Sequence, residues 1–162
     1  MPEINEIGLS EFNKLSQLEK IGGTNAIIKY YQTLSKNKGY KINIPTIIYS
    51  RIGFLYANNK KYKELLQWVE EQGRGNGYVN YYIGQNLIAQ NRAEIAIKLF
   101  LLNSISNASA KSWKSLAQAY EANKEYQQAA KYYQKAIDIA KASNDENLVK
   151  YEQLKKHVLG KQ

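Results

Sequence analysis

The stretch that decides the fold runs from residue 113 to residue 136 and reads WKSLAQAYEANKEYQQAAKYYQKA. Apolar and small residues recur at helical spacing on both sides of its central EANKEY segment, which predicts two helices joined by a short turn. Ala117 in the first helix and Ala129 in the second are small enough to let the two helices approach closely. The stretch therefore predicts a tightly packed helical hairpin.

Two more copies of this hairpin lie upstream. Offset by 33 residues, Gly84 and Ala96 take the two small positions. A further 31 residues back, Gly53 takes the first position, but Leu65 replaces the second, so this copy is more degenerate. Behind the third copy, S-x-x-E at 143–146 predicts a capping box that starts a last helix. Helices are predicted at about residues 45–58, 60–72, 77–90, 92–104, 110–123, 125–141 and 144–159.

The spacing W-x2-L-A-x2-Y followed by A-x3-Y-x2-A resembles the tetratricopeptide repeat, a helix–turn–helix unit of about 34 residues. This resemblance implies an all-α, right-handed α-solenoid of three repeats with helical caps at both ends, nine helices or slightly fewer. We expect one domain over residues 1–162. Its expected parts are an N-terminal cap or degenerate half-repeat (1–42), repeat 1 (46–76), repeat 2 (77–109), repeat 3 (110–143) and a C-terminal capping helix (144–160).

A narrower likeness covers residues 80–136. The patterns N-x2-I-G at 80–84, A-I-x-L-F-x-L-N at 96–103 and S-L-A-x-A-Y at 115–120 resemble the repeat tail of some bacterial serine hydrolases, β-lactamase-like or esterase. In this chain Ala stands where that tail often has Gly-Glu, and Lys141 replaces its usual closing proline. The likeness implies a non-catalytic tail of a larger protein at the cell envelope.

Composition excludes several kinds of protein. The chain has no cysteine, which rules out disulfides and thiolate chemistry, and no run approaches the 18 apolar residues that a membrane span needs. Residues 1–20 carry acids and no apolar core of a signal peptide. We therefore expect a cytoplasmic protein, or a periplasmic or envelope-associated one if it is a hydrolase tail. The net charge of +9 is spread almost evenly along the chain, which disfavours a nucleic-acid partner.

No catalytic, cofactor or metal site is expected. The nucleophile, zinc and phosphate-binding motifs of the common enzyme classes do not occur. G-x-G-x-G at 73–77 follows no predicted strand, so it indicates a turn between repeats and not a phosphate cradle. The single histidine, His157, has no second ligand type nearby and is expected at the surface. The chain is therefore predicted to be non-enzymatic.

A stripe beside the core stripe of each repeat's first helix lines the concave groove in such folds. In this chain the stripe is aromatic in the middle and basic at both ends, which suits an extended peptide with apolar and acidic side chains. Tyr82 is central in it, and Lys114 is expected to act as a rim charge. Alternatively, some of these rings pack on the N-terminal cap or on a second copy of the chain. The predicted groove residues are Arg51, Phe54, Tyr78, Tyr81, Tyr82, Gln85, Lys111, Lys114 and Gln118.

Some tetratricopeptide repeat proteins bind chaperone C-termini through a clamp of Lys, Asn and Arg residues. Of the positions that correspond to this clamp, only Lys111 matches, because Ser50, Phe54, Tyr82 and Ser115 stand at others. The sequence thus predicts a module that binds a different peptide or protein. Two alternatives stay open: a hydrolase tail that serves dimerisation or substrate presentation, and a basic surface for nucleic acid or another polyanion.

Overall fold

The fold consists of helices joined by short turns. In the described part of the computed structural model every residue is helical or lies in a turn or loop, which confirms the predicted all-α class. The residues described are 13–14, 16–18, 20–23, 26–27, 29–30 and 46–162. Seven helices have defined bounds: α1 (Thr46–Asn58), α2 (Tyr62–Gln72), α3 (Gly77–Ala89), α4 (Ala93–Ser106), α5 (Ala110–Ala122), α6 (Tyr126–Ser143) and α7 (Leu148–Leu159).

The chain separates into two compact units, Met1–Asn59 and Lys60–Gln162. The first unit contains α1, with Tyr49 and Ile52 fully buried, and the described residues between 13 and 30 are also helical. Much of the expected N-terminal cap over residues 1–42 lies outside the described residues. The division of the chain into two caps and three repeats stays a prediction.

In the second unit the helices pack in succession. Helix α3 lies against α4, α4 against α5, α5 against α6, and α6 against α7. In addition α2 lies against α4, and α3 touches α5. Helices of equivalent position in neighbouring hairpins are thus in contact, which is how stacked helical repeats bury a continuous core.

The turns inside the hairpins repeat with the period of the sequence. Lys60, Asn91 and Lys124 adopt the left-handed conformation, with φ of 57°, 58° and 62°. These positions are 31 and 33 residues apart, the same offsets that relate the sequence copies. After α3, the N–H of Arg92 donates to the carbonyl of Leu87 at 2.8 Å, a bond that closes a helix C-terminus around a left-handed residue.

The capping box predicted at 143–146 does not form. Helix α6 continues through Ser143, whose hydroxyl donates back to carbonyls of its own helix. Asn144 ends this helix in the left-handed conformation (φ 52°), which asparagine tolerates better than most residues. The Asp145 carboxylate then accepts a hydrogen bond of 2.8 Å from the backbone N–H of Asn147. Helix α7 therefore begins later than the sequence predicts.

Small residues set the helix crossings, as the sequence predicts. A Cβ added to Gly84 would overlap the ring of Phe100, and that ring is fully buried. In the next hairpin Ala117 and Ala129 are both fully buried in a cluster with Tyr133. A larger side chain at any of the three small positions would push two helices apart.

The Gly84–Phe100 contact is tested by Gly84→Ala. Alanine normally stabilises a helix interior relative to glycine by roughly 0.5–1 kcal/mol. We expect the opposite sign, a loss of about 1–3 kcal/mol in the free energy of unfolding, because the added methyl meets a buried ring. Gly160→Ala is the control, since a Cβ there meets only the carbonyl of His157 at 3.4 Å. Equal stability of Gly84→Ala and the parent in urea unfolding would contradict the assigned packing.

Helix α7 covers the apolar edge of α6, and two valines of α7 test this role. Val158 is fully buried, whereas Val149 is 62% exposed. Val158→Ala should lower the free energy of unfolding by about 2 kcal/mol, because it removes two buried methyl groups. Val149→Ala should leave stability nearly unchanged. Thermal unfolding of the two variants compares them directly, and a similar loss in both would refute the capping role of α7.

Candidate functional site

Helices α3 and α5 bring six of the nine predicted groove residues to neighbouring elements. Arg51 and Phe54 lie on α1 in the first unit and are partly buried, and Gln85 is a partly buried residue of α3. A place for these three in a groove stays a prediction. The other six, which we call the tyrosine–lysine face, are Tyr78, Tyr81 and Tyr82 of α3 and Lys111, Lys114 and Gln118 of α5.

The three tyrosines of the face form an ordered array. Tyr78 and Tyr82 are 68% and 45% exposed and lie one helical turn apart, with their hydroxyl oxygens at 3.0 Å. Their ring centres are 4.8 Å apart, and those of Tyr81 and Tyr82 are 5.1 Å apart, both edge to face. The hydrogen bond with Tyr82 raises the pKa of Tyr78, so Tyr78 presents a neutral phenol. The face thus offers exposed aromatic surface in a fixed arrangement.

Two lysines of α5 lie against these rings. The Lys111 ammonium is 4.8 Å from the ring centre of Tyr81 and 5.7 Å from that of Tyr78. The Lys114 ammonium is 5.3 Å from the same Tyr81 ring and donates to the side-chain oxygen of Gln118 at 3.3 Å. Cations at these distances are attracted to the ring faces. The Tyr81 ring is therefore shared by two positive charges.

Lys114 is not the rim charge that the sequence predicts, because only 8% of it is exposed. Its stem is buried on α5, and the Tyr81 ring and the Gln118 amide take the place of part of the water around its ammonium. Burial, and after it the charges of Lys150 and Lys111, lower the pKa of Lys114 to about 8. No carboxylate of the described residues pairs with any of these three lysines. The face therefore carries uncompensated positive charge.

A cleft of about 360 Å³ opens beside the face. Tyr78, Tyr81 and Lys111 form one part of its wall, and the turn between α4 and α5 forms another. The Ser109 hydroxyl caps α5 by accepting the backbone N–H of Ser112 at 3.1 Å, which fixes the start of this helix and with it the position of Lys111. The cleft has room for a side chain of a bound molecule next to the two rings.

Three asparagines hold the turn before α3, and sequence reasoning did not identify them as a network. The side-chain oxygen of Asn103 accepts from the amides of Asn80 at 3.0 Å and Asn107 at 2.9 Å. The Asn107 oxygen in turn accepts from the backbone N–H of Gly75 at 2.8 Å, and its amide donates to the carbonyl of Gly73 at 3.2 Å. Asn80 and Asn103 are buried, so the network locks α3 onto α4.

A second group of aromatic rings lies between α5 and α6. The Tyr132 ring stacks on Trp113 with centres at 5.8 Å and on Tyr120 with centres at 5.3 Å, and the interplanar angles are 4° and 5°. The Lys135 ammonium is 3.9 Å from the ring centre of Trp113. These partly buried rings contact one another and the core, so they stabilise the hairpin and leave little surface for a ligand.

Metal-binding and membrane-spanning features were sought in the same residues. The described part of the chain contains no cluster of three or more His, Cys, Asp or Glu side chains that could hold a metal ion. None of the described helices combines the length and the apolar character needed to cross a bilayer.

Comparison with known proteins identifies the repeat. Residues 110–141, which comprise α5 and most of α6, match the family model described as "Tetratricopeptide repeat". No curated protein matches the sequence. The likeness to the repeat tail of serine hydrolases stays a prediction.

Two solved structures resemble the chain at low identity. One is "MamA 41-end" from Desulfovibrio magneticus RS-1, with 13% identity, a TM-score of 0.42 and coverage of 94% of this chain and 93% of that one. The other is the "MamA RS-1 ArsTM double mutant", with 12% identity, a TM-score of 0.43 and coverage of 96% of both chains. We base no conclusion on likenesses at this level.

The buried lysine gives a test of the electrostatics of the face. Because the pKa of Lys114 is about 8 in the folded protein and 10.5 ordinarily, the unfolded chain binds more protons between these pH values. The cost of burying the charge is therefore complete below pH 8 and is relieved as the pH rises towards 10.5. Lys114→Met, which keeps the stem, should stabilise the fold at pH 7 by about 1–3 kcal/mol.

This gain should shrink when urea unfolding is repeated at pH 10. Lys98→Met provides the control, because Lys98 is an exposed lysine of α4 and its loss should change stability little at either pH. A Lys114→Met variant that is less stable than the parent at pH 7 would contradict the assigned environment of this ammonium.

Proposed function

We propose that this chain, which carries a tetratricopeptide repeat at residues 110–141, is a non-enzymatic protein–protein interaction module. Its partner segment binds on the tyrosine–lysine face. Stacked helical repeats expose extended surfaces that bind other polypeptides, so the fold supports a role of this kind. The observation that carries the proposal is the ordered array of exposed tyrosines next to a cleft of about 360 Å³.

Aromatic side chains give the face its expected affinity. Tyrosines are enriched among the residues that contribute most to binding energy at interfaces. Tyr78 and Tyr82 leave large parts of their rings in water, where a partner's apolar side chain can cover them. Covering them removes apolar surface from water, which is the main favourable contribution in most protein–protein association.

The rigidity of the face lowers the cost of binding. The hydroxyl–hydroxyl contact between Tyr78 and Tyr82 and the edge-to-face packing of the rings hold the side chains in place before a partner arrives. The asparagine network fixes the start of α3 against α4. A preformed face loses little side-chain freedom on association, so more of the contact energy appears as affinity.

Selection from a library of random 12-residue peptides, followed by titration of the selected peptides, tests the proposal. Tyr82→Ala should weaken peptide binding by about 1–2 kcal/mol, roughly a tenfold change, because it removes a central exposed ring. Ile105→Ala is the matched control, since Ile105 is a 76% exposed apolar residue of α4, outside the face. It should leave affinity unchanged. Peptides that lose affinity on Ile105→Ala and not on Tyr82→Ala would place binding elsewhere.

A further inference from the structure

We propose that Lys111, Lys114 and Lys150 form a carboxylate-binding subsite, so that the partner segment carries an aspartate or glutamate next to an apolar residue. This inference rests on the proposed function and adds the chemistry of the ligand. The acidic side chain lies between the ammonium groups, and the neighbouring apolar side chain enters the cleft beside Tyr78 and Tyr81.

The convergence of positive charge is the first argument. The ammonium groups of Lys111 and Lys114 lie at 4.8 Å and 5.3 Å from the centre of one ring, that of Tyr81. Lys150 of α7 adds a third charge, close enough to lower the pKa of Lys114. Among the described residues no carboxylate pairs with these groups, although ion pairs form elsewhere, as between Lys161 and Glu121 at 2.8 Å. A bound carboxylate supplies the missing negative charge and relieves the repulsion.

The cost of Lys114 to the fold is the second argument. A buried ammonium beside two like charges destabilises the folded state, and a methionine of similar length would fill the same space without this cost. Residues that oppose stability in this way are found most often where binding or catalysis needs them. The position of Lys114 is therefore explained by a ligand that pairs with its charge.

The surroundings favour a peptide carboxylate over the phosphates of a nucleic acid. Bases bind proteins that lack sequence preference by stacking on open aromatic faces. Lys111 and Lys114 already lie against Tyr81, Lys111 also approaches Tyr78, and the ring of Tyr82 packs against both other tyrosines. The cleft, with a volume of about 360 Å³, is a single local depression and suits one side chain.

Two matched peptide libraries test the subsite. In one library the central position is fixed as Glu or Asp, and in the other it is fixed as Gln or Asn. We expect binders from the acidic library, and the exchange of the central acid for its amide should weaken binding to the parent by at least about tenfold. Lys111→Gln and Lys114→Met should lose this discrimination between acid and amide. Lys98→Gln, the same charge change on α4, should keep it.

The outcomes separate this inference from the proposed function. Peptides that are sensitive to Tyr82→Ala but bind equally well as acid and amide would overturn the carboxylate subsite and leave the interaction role standing. Absence of Tyr82-sensitive binders in both libraries would overturn both. A single-stranded oligonucleotide that binds, loses affinity in the lysine variants and shows a steep salt dependence, while acidic peptides do not bind, would overturn the peptide assignment.

Circular dichroism of each variant checks that the fold is retained. If Lys114→Met does not fold, Lys111→Gln alone decides the test, because Lys111 is exposed and contributes no buried contact. Retained discrimination between acid and amide in folded Lys111→Gln would overturn the subsite.

Discussion

The contact between the backbone of Gly84 and the buried ring of Phe100 sets the distance between α3 and α4, and the tyrosine–lysine face depends on it. A glycine lets a ring pack directly onto a helix, and packed interiors do not yield continuously when a group is added. The asparagine network secures the same pair of helices at its other end. Helix α3 is thereby fixed, and it presents its three tyrosines to the lysines of α5.

The fold could be predicted from the sequence because its determinants are local and periodic. Small residues at Gly84, Ala117 and Ala129 recur at a constant offset, and all three are buried at helix crossings. The helix bounds follow to within a few residues. The start of α7 was wrong because Ser143 can either cap a new helix or extend the old one, and the left-handed conformation of Asn144 decides between them.

The candidate site was predictable only as a stripe of residues. Helical spacing placed the tyrosines of α3 and the lysines of α5 on neighbouring helices, but it did not give the depth of each side chain. The burial of Lys114 depends on Tyr81 and on the charge of Lys150, which comes from a helix two elements further along the chain. The asparagines also join residues distant in sequence, and a polar residue within an apolar pattern does not reveal its partner. The site thus combines a stable scaffold with one costly charge.

The central claim is that a partner polypeptide occupies the tyrosine–lysine face. A footprint measured by backbone amide chemical-shift changes in NMR, with an acidic 12-residue peptide added to the isotopically labelled protein, tests this claim most directly. The account predicts that the largest changes lie on α3 and α5, around Tyr81 and Lys111, with α4 unaffected near Ile105. A footprint on the exposed side of α4, with α3 and α5 unchanged, would contradict it.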